Sequence, residues 1–217
     1  MGFFDVLIKP EEVFKSEIKN ASFGKAILPY VIMGLVAGIL LGGLLFAAGI
    51  FLLPFLKSSY DFTVPAAMTG LFGGTGLVFG ILFGVIGYPL MVLIGTGFLF
   101  LIAKLFGGKG TFTELLYLSS LLVWPLLAIG ILVSIAASIL MAVFPPLGML
   151  LHLAFAIYGA YLGIAALKVA MGLEWLHSIL VFVVLWVICA IIAGIIALVV
   201  VLSMASFFGG LGNMMRV

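Results

Sequence analysis

The sequence predicts an all-α fold, a polytopic transmembrane helical bundle of five spans with a short N-terminal interfacial helix. Hydrophobic residues make up 66% of the chain and charged residues only 7%, whereas water-soluble domains carry about 25% charged residues. Several apolar runs are longer than the roughly 20 residues that one membrane crossing needs. The formal net charge of +2 does not indicate nucleic-acid binding, and we expect no nucleic-acid partner.

The apolar runs divide the chain into three parts. We predict a cytosolic, interfacial segment over residues 1–25, a five-helix transmembrane domain over 26–206 and a flexible tail over 207–217. The five spans are predicted at about residues 26–56, 76–106, 112–141, 147–171 and 178–205.

The N-terminal segment has the pattern of a short amphipathic helix. Pro10 suits the first helical position, and Glu11 complements the positive end of the helix dipole. Val13, Phe14 and Ile18 share one face of this helix. We expect the segment to lie along the inner membrane surface with these three side chains toward lipid. The alternative is a solvated helix that merely precedes span 1.

The number of spans depends on residues 64–103, an uncharged stretch that is long enough for one crossing or for two crossings hinged at Pro89. With one crossing, seven of the nine Lys and Arg residues lie on the N-terminal side, all except Lys57 and Arg216. With two crossings this asymmetry disappears. The positive-inside rule therefore favours five spans, with the N-terminus in the cytoplasm and the C-terminus outside. Thr63 is then expected to start a short outer helix.

Glycines recur at every fourth position in the first two spans. This spacing lets the backbones of membrane helices approach closely, and we interpret both ladders as packing surfaces. Their members are Gly34, Gly38 and Gly42 in span 1, and Gly76, Gly80 and Gly84 in span 2.

A glycine-rich loop and a capping box are predicted between spans 2 and 3. The glycines permit a tight turn, and the lysine places positive charge at a membrane face. The Thr-x-x-Glu spacing is typical of a capping box that starts a helix. The loop lacks the Lys-Ser or Lys-Thr step of a phosphate-binding loop. Its members, with the capping box, are Gly107, Gly108, Lys109, Gly110, Thr111 and Glu114.

The short connection between spans 2 and 3 predicts an antiparallel pair in which two prolines lie at one depth. Each proline frees the carbonyl four residues earlier, and in a bilayer such a carbonyl needs a partner or a shielded cavity. We therefore predict a small polar crevice between these spans as a lipid or partner-helix site. The alternative is two independent kinks with local 3₁₀ or π adjustment. The crevice residues are Tyr88, Pro89, Thr96, Ser119, Ser120 and Pro125.

No arrangement of residues predicts a catalytic, cofactor-binding or metal site. His152 and His177 lie at opposite ends of span 4, roughly 35 Å apart at 1.5 Å per residue. The spans are nearly free of charged residues, which are the usual markers of transport pathways. We therefore expect a non-enzymatic membrane protein whose partners are lipids, another membrane protein or a second copy of the chain. The alternative is a transporter or channel for a small or apolar solute.

The order of these elements resembles the Yip-domain family of small five-span membrane proteins. The sequence Leu-Ile-Lys-Pro-Glu-Glu-Val-Phe over residues 7–14 precedes the spans, and Gly107 to Phe112 precedes a helix with an internal Pro125. Eukaryotic members bind Rab-type GTPases and assist vesicle traffic. This chain lacks their Asp-Leu-Tyr-Gly-Pro signature, which puts GTPase binding in doubt. It resembles the compact prokaryotic members, which implies a prokaryotic plasma membrane. Resemblance to the family as a whole implies a role in membrane organisation or a trafficking-like role.

Overall fold

A computed structural model of the protein describes residues 4–60 and 74–214. Within these ranges the secondary structure is helical and contains no strand. Five segments are long and apolar enough to cross a membrane, which confirms the predicted fold class. They are span 1 (Phe23–Phe51), span 2 (Gly74–Leu105), span 3 (Phe112–Val143), span 4 (Pro145–Met171) and span 5 (Trp175–Met204). The short outer helix expected near Thr63 lies outside the described residues.

Two of the spans are built from more than one helix. In chain order the helices are α1 (Asp5–Ile8), α2 (Pro10–Glu17), α3 (Phe23–Tyr60), α4 (Gly74–Leu82), α5 (Tyr88–Leu105), α6 (Phe112–Leu121), α7 (Val123–Val143), α8 (Pro145–Met171) and α9 (Trp175–Met214). Span 2 combines α4 and α5, span 3 combines α6 and α7, and spans 1, 4 and 5 belong to α3, α8 and α9.

The charged residues of the spans lie near a single end of the bundle. Lys25 and Glu114 stand near the starts of spans 1 and 3, whereas Lys104 and Lys168 stand near the ends of spans 2 and 4. Because consecutive spans alternate in direction, all four residues share one side, together with the N-terminal segment. We call this side the charged face.

Span 2 continues through Pro89, so a hairpin hinged at this residue is wrong. A π-helical segment over Phe83–Gly87 joins α4 to α5, and Pro89 is the second residue of α5. A π turn inserts one extra residue and commonly accompanies a kink. This local widening accommodates the missing backbone donor of the proline within one helix.

Span 3 breaks at Leu122, three residues before Pro125. The N–H of Leu122 donates to the carbonyl of Ser119 at 3.2 Å, a tight i to i+3 turn that ends α6. The helix resumes at Val123, and the N–H of Leu126 donates to Leu122 at 3.0 Å. Both prolines thus coincide with a local change in helical geometry.

The glycine ladders bring the backbones of spans 1 and 2 into direct contact. A Cβ atom at Gly80 would lie 2.7 Å from the carbonyl oxygen of Gly38. A Cβ atom at Gly84 would lie 2.8 Å from the Cα of Gly38, and one at Gly42 would lie 2.8 Å from the Cα of Leu77. Side chains of any size would therefore push these two helices apart.

Away from the charged face the spans pack as separate pairs. Spans 1 and 2 form one pair, and α7 packs along α8 as a second pair. A Cβ atom at Gly148 in this second pair would lie 2.6 Å from the carbonyl oxygen of Ala137. Residues 189–204 of span 5 are all exposed. The buried core lies toward the charged face, and its largest fully buried side chains include Phe14, Leu115, Leu116, Leu118, Leu162, Leu167 and Met171.

The last helix extends past residue 206, and the predicted flexibility of residues 207–217 stays a prediction. Helix α9 continues to Met214 without a break. Glycines at 209, 210 and 212 disfavour a helix, but extending an existing helix adds one hydrogen bond per residue and avoids the cost of a new nucleus. Propagation from span 5 accounts for the helical backbone beyond 206.

We predict that Gly38→Val destabilises the protein, because its side chain would meet the span 2 backbone at Gly80. Overpacking of this kind costs about 1–3 kcal/mol, which lowers the melting temperature of a chain of this length by several degrees. The matched control is Gly43→Val in the same helix, where an added Cβ has nothing within 4 Å. Thermal unfolding in detergent measures both variants, and equal melting temperatures would contradict close packing at Gly38.

Candidate functional site

The N-terminal segment is docked onto the bundle, and its apolar face is buried in protein. Val13 is 8% exposed and Phe14 is 0% exposed, and both belong to the cluster that contains Leu115 and Leu162. Helix α2 packs against α8. The expectation that Val13 and Phe14 face lipid is therefore wrong. An amphipathic face finds the same driving force on an apolar protein surface as on a membrane, and here the ends of spans 3 and 4 provide that surface.

An ion pair joins this segment to span 4. The Nζ of Lys168 lies 2.8 Å from Glu11 Oε1, and the two side chains are 21% and 29% exposed. The hydrogen bond from Lys168 holds the pKa of Glu11 below its usual range, although partial burial acts in the opposite direction. Lys168 also lies 4.5 Å from the ring centroid of Trp175, whose ring stacks on Tyr161 at 5.7 Å.

Two tyrosine hydroxyls from the spans also hold the segment. Tyr117 of span 3 donates to Glu17 Oε2 at 3.1 Å. Tyr158 of span 4 donates to the backbone carbonyl of Leu7. These two contacts lie near opposite ends of the segment. They therefore hold the segment on the bundle and also fix its position along the charged face.

The glycine-rich loop forms a joint with the end of span 4. Gly107 has a φ of 86°, and the N–H of Lys109 donates to the carbonyl of Met171 at 2.8 Å. A Cβ atom at Gly110 would lie 3.1 Å from the Cα of Met171, and the carbonyl of Ala170 is closer still. The backbone of this loop therefore satisfies a helix-terminal carbonyl, while the Lys109 side chain is exposed. Gly108 is buried in the same joint, against the Met171 side chain.

The capping box is present at the start of span 3. The N–H of Glu114 donates to Thr111 Oγ1 at 3.3 Å, and the N–H of Thr111 donates to Glu114 Oε2 at 2.6 Å. Thr111 directly follows Gly110 of the loop joint. The capping box therefore sets where span 3 leaves the charged face.

A cavity of about 320 Å³ lies between the N-terminal segment, the start of span 1 and the break in span 3. Span 1 packs closely on α6 but only weakly on α7, and the break at Leu122 separates these two helices. The gap beside this break is covered on one side by the N-terminal segment. Its lining residues are Val6, Val13, Glu17, Lys25, Pro29, Tyr117, Ser120, Leu121, Trp124 and Pro125.

The six predicted crevice residues are only partly accounted for by this cavity, and their grouping between spans 2 and 3 stays a prediction. Ser120 and Pro125 line the cavity, but its other walls come from span 1 and the N-terminal segment, and no residue of span 2 contributes to it. Tyr88 instead faces span 1, where a Cβ atom at Gly34 would lie 3.2 Å from the Tyr88 Cβ. Pro89 and Thr96 are buried, and Ser119 is half-buried.

Sequence reasoning missed the two charged residues at the cavity. Glu17 precedes span 1 and Lys25 stands at its start, so their spacing carries no recognisable motif. The available sequence signals for a cavity were Pro29 in span 1 and the neighbouring pair Trp124 and Pro125 in span 3. Prolines inside spans indicate irregular backbone, which is tolerated where it lines a cavity. The wall contributed by the N-terminal segment could not be anticipated while that segment was expected to face lipid.

The two charged residues at the cavity, Glu17 and Lys25, differ in the partners that they have. Glu17 accepts hydrogen bonds from Tyr117 and from Asn20 Nδ2, the latter at 3.1 Å. The ammonium of Lys25 makes no ion pair with another described residue. Across the described ranges, no three His, Cys, Asp or Glu side chains are close enough to hold a metal ion. The site can therefore offer one carboxylate, one ammonium and an apolar wall.

Comparison with known proteins gives a match at the level of a family. The model of the Yip1 domain matches residues 4–198, a range that includes the N-terminal segment, the glycine-rich loop and most of span 5. No curated protein and no solved structure gives a significant match.

We predict that Glu11→Gln loosens the docked segment, because the amide cannot form the ion pair with Lys168. A partly exposed pair is worth about 1 kcal/mol, so amide hydrogen exchange in α2 should accelerate about fivefold. Glu12→Gln is the matched control, since Glu12 is 73% exposed and pairs only with the exposed Lys9. Equal exchange in the two variants would contradict a stabilising role for the Glu11–Lys168 pair.

The same pair predicts a pH dependence with a definite sign. The pKa of Glu11 is lowered in the folded protein, so its stabilising contribution is complete above the usual carboxyl pKa and is lost as pH falls through the lowered value. We expect the difference in melting temperature between the wild type and Glu11→Gln to be constant near neutral pH and to vanish in acid. A difference that grows in acid would contradict this assignment.

Proposed function

Because the chain belongs to the Yip1-domain family, we propose that it is a non-enzymatic membrane-organising protein that acts by binding lipids and other membrane components. The family match and the five apolar spans establish an integral membrane protein. We further propose that the protein acts through its contacts with lipids and proteins in the membrane and does not catalyse a reaction.

The cavity at the charged face is the observation that carries this proposal. Its volume of about 320 Å³ lies within the range of roughly 300–1,000 Å³ that is typical of small-molecule sites. Most of its lining is apolar, and the charged residues Glu17 and Lys25 lie just before span 1 and at its start. This combination suits an amphiphile better than a water-soluble metabolite.

The exposed surfaces of the spans support the same proposal. Residues 189–204 of span 5 are exposed along their whole length, and spans 1–2 and 3–4 present apolar side chains outward, among them Leu40, Leu44 and Leu132. In a membrane such surfaces contact lipid chains or other helices. Most residues of the spans are therefore available to membrane neighbours.

We place the N-terminus in the cytoplasm and the C-terminus outside, in a prokaryotic plasma membrane. The charge distribution supports this orientation, because Lys25, Lys104 and Lys168 share the charged face with the N-terminal segment. Cytoplasmic loops of membrane proteins are enriched in Lys and Arg. The cavity then opens toward the inner leaflet.

Transport of a small or apolar solute is the alternative function. It requires polar groups at successive depths through the bundle. The charged residues of the five spans all lie near the charged face, and the hydroxyl of Ser120 donates to the carbonyl of Tyr117 within its own helix. These observations favour binding over conduction.

Copurification tests the proposed function. The protein should be extracted in native-lipid particles, and its lipids and proteins should be identified by mass spectrometry. We expect at least one lipid class or membrane protein to be enriched over the composition of the whole membrane. Enrichment of none, together with solute flux in liposomes that contain the purified protein, would favour the transport alternative.

We predict that a reporter active only in the cytoplasm is silent when fused after Arg216. The same reporter fused after Lys109 should be active, because that residue lies at the charged face. Activity after Arg216 would contradict the proposed orientation, and so would silence after Lys109. Reporter activity normalised to the amount of fusion protein is the measurement.

A further inference from the structure

We propose that the cavity at the charged face binds one phospholipid of the phosphatidylethanolamine type, with its phosphate at Lys25, its ammonium at Glu17 and one acyl chain along the apolar wall. This inference rests on the proposed function and goes beyond it by naming the ligand class. Three properties of the cavity carry it: the depth that it spans, its volume and the two charges at one end.

The cavity extends from the charged face into the apolar part of the bundle. Glu17 precedes span 1, and Lys25 is the third residue of that span. Trp124 lies about 18 Å along span 3 from Phe112, at 1.5 Å per residue. A molecule that fills the cavity therefore has a polar end at the membrane surface and an apolar end well inside the roughly 30 Å hydrocarbon core. Membrane lipids have this arrangement.

The volume limits how much of a lipid can enter. At about 320 Å³ the cavity is at the lower end of the range for small-molecule sites. It accommodates one chain segment, while the second chain remains in the surrounding bilayer. The wall for this chain is formed by the apolar side chains of Val6, Val13, Pro29, Leu121 and Trp124.

Lys25 is suited to the phosphate. Lys25 is exposed, and its ammonium forms no ion pair with another described residue. It also stands in the first turn of α3, where its N–H lies 3.4 Å from Ser22 Oγ. The positive end of a helix dipole favours an anion at this place. The side chain and the helix start therefore act in the same direction.

Glu17 distinguishes between headgroups. Its carboxylate is held in place by Tyr117 and Asn20, and an ionised carboxylate has acceptor sites left for a third donor. A primary ammonium can donate to it. A choline group has no N–H to donate, and the glycerol of an anionic lipid brings no positive charge to offset Glu17. Repulsion of the wrong partner and attraction of the right one both contribute to such a preference.

Native mass spectrometry of the purified full chain tests the headgroup. The protein is exchanged into phosphatidylethanolamine, phosphatidylcholine or phosphatidylglycerol with identical acyl chains. We expect one phosphatidylethanolamine to be retained at the highest occupancy. Lys25→Gln should lower retention of all three lipids about two- to fivefold, the range expected for an exposed charge pair. Glu17→Gln should remove the preference for phosphatidylethanolamine.

Lys19→Gln is the matched control, because Lys19 is exposed in the same segment and does not line the cavity. It should retain lipid like the wild type. Each of these substitutions is at a partly or fully exposed side chain, so folding is checked simply by thermal unfolding. Equal occupancies for the three lipids, unchanged by Lys25→Gln and Glu17→Gln, would overturn the inference.

Trp124 reports on the acyl chain independently. In a Trp175→Phe, Trp186→Phe background, Trp124 is the remaining tryptophan. Phosphatidylethanolamine with brominated chains should quench its fluorescence more than brominated phosphatidylcholine at the same mole fraction. Lys25→Gln should abolish the difference. Quenching that is equal for both lipids would place bulk bilayer, rather than a selected lipid, against Trp124 and would overturn the inference.

Failure of this inference differs from failure of the proposed function. Copurified lipid or protein without any headgroup preference at the cavity would refute the phosphatidylethanolamine site and leave membrane binding intact. Absence of any enriched membrane component would refute both.

Discussion

The structure depends on where the hydrophobic effect can operate on helices that stand in lipid. Inside a bilayer, moving an apolar side chain from lipid to protein gains little, so helices associate through close packing instead. At the charged face, water is present and burial of apolar surface regains its driving force. The protein follows this division. Its buried core, with Phe14 and Leu115, lies toward the charged face. Residues 189–204, by contrast, are all exposed.

Close approach of backbones supplies the contacts that persist farther from the charged face. Gly38 and Gly80 let spans 1 and 2 touch, and Gly148 does the same for span 4 against Ala137 of span 3. Neither pair needs long side chains to interlock. Span 1 packs closely on α6 and only weakly on α7, and the tight turn at Leu122 lies between these two helices. The cavity lies beside that turn, and the N-terminal segment closes one side of it.

Features that depend on local sequence could be predicted, and those that depend on distant partners could not. Run length and Lys positions determine the five spans, and the Thr111–Glu114 capping box is a local hydrogen-bond pattern. The face of Phe14 is also local, but its partner is not, since an amphipathic pattern is the same for a lipid surface and for the ends of spans 3 and 4. Depth matching placed Pro89 beside Pro125 on the assumption of regular helices, and the tight turn at Leu122 departs from that assumption in span 3. Glu17 and Trp124 both line the cavity. They are too far apart in the sequence for any motif spacing to predict that they lie together.

Docking of the N-terminal segment and occupation of the cavity are coupled by the residues that they share. Val6, Val13 and Glu17 belong to the segment and line the cavity, and Tyr117 both lines it and donates to Glu17. A ligand that contacts these residues binds the docked arrangement better than an undocked one. It therefore stabilises docking by mass action, and docking must raise ligand affinity by the same factor. The Glu11–Lys168 pair lies outside the cavity lining, so a change in its charge state alters ligand affinity only through this coupling.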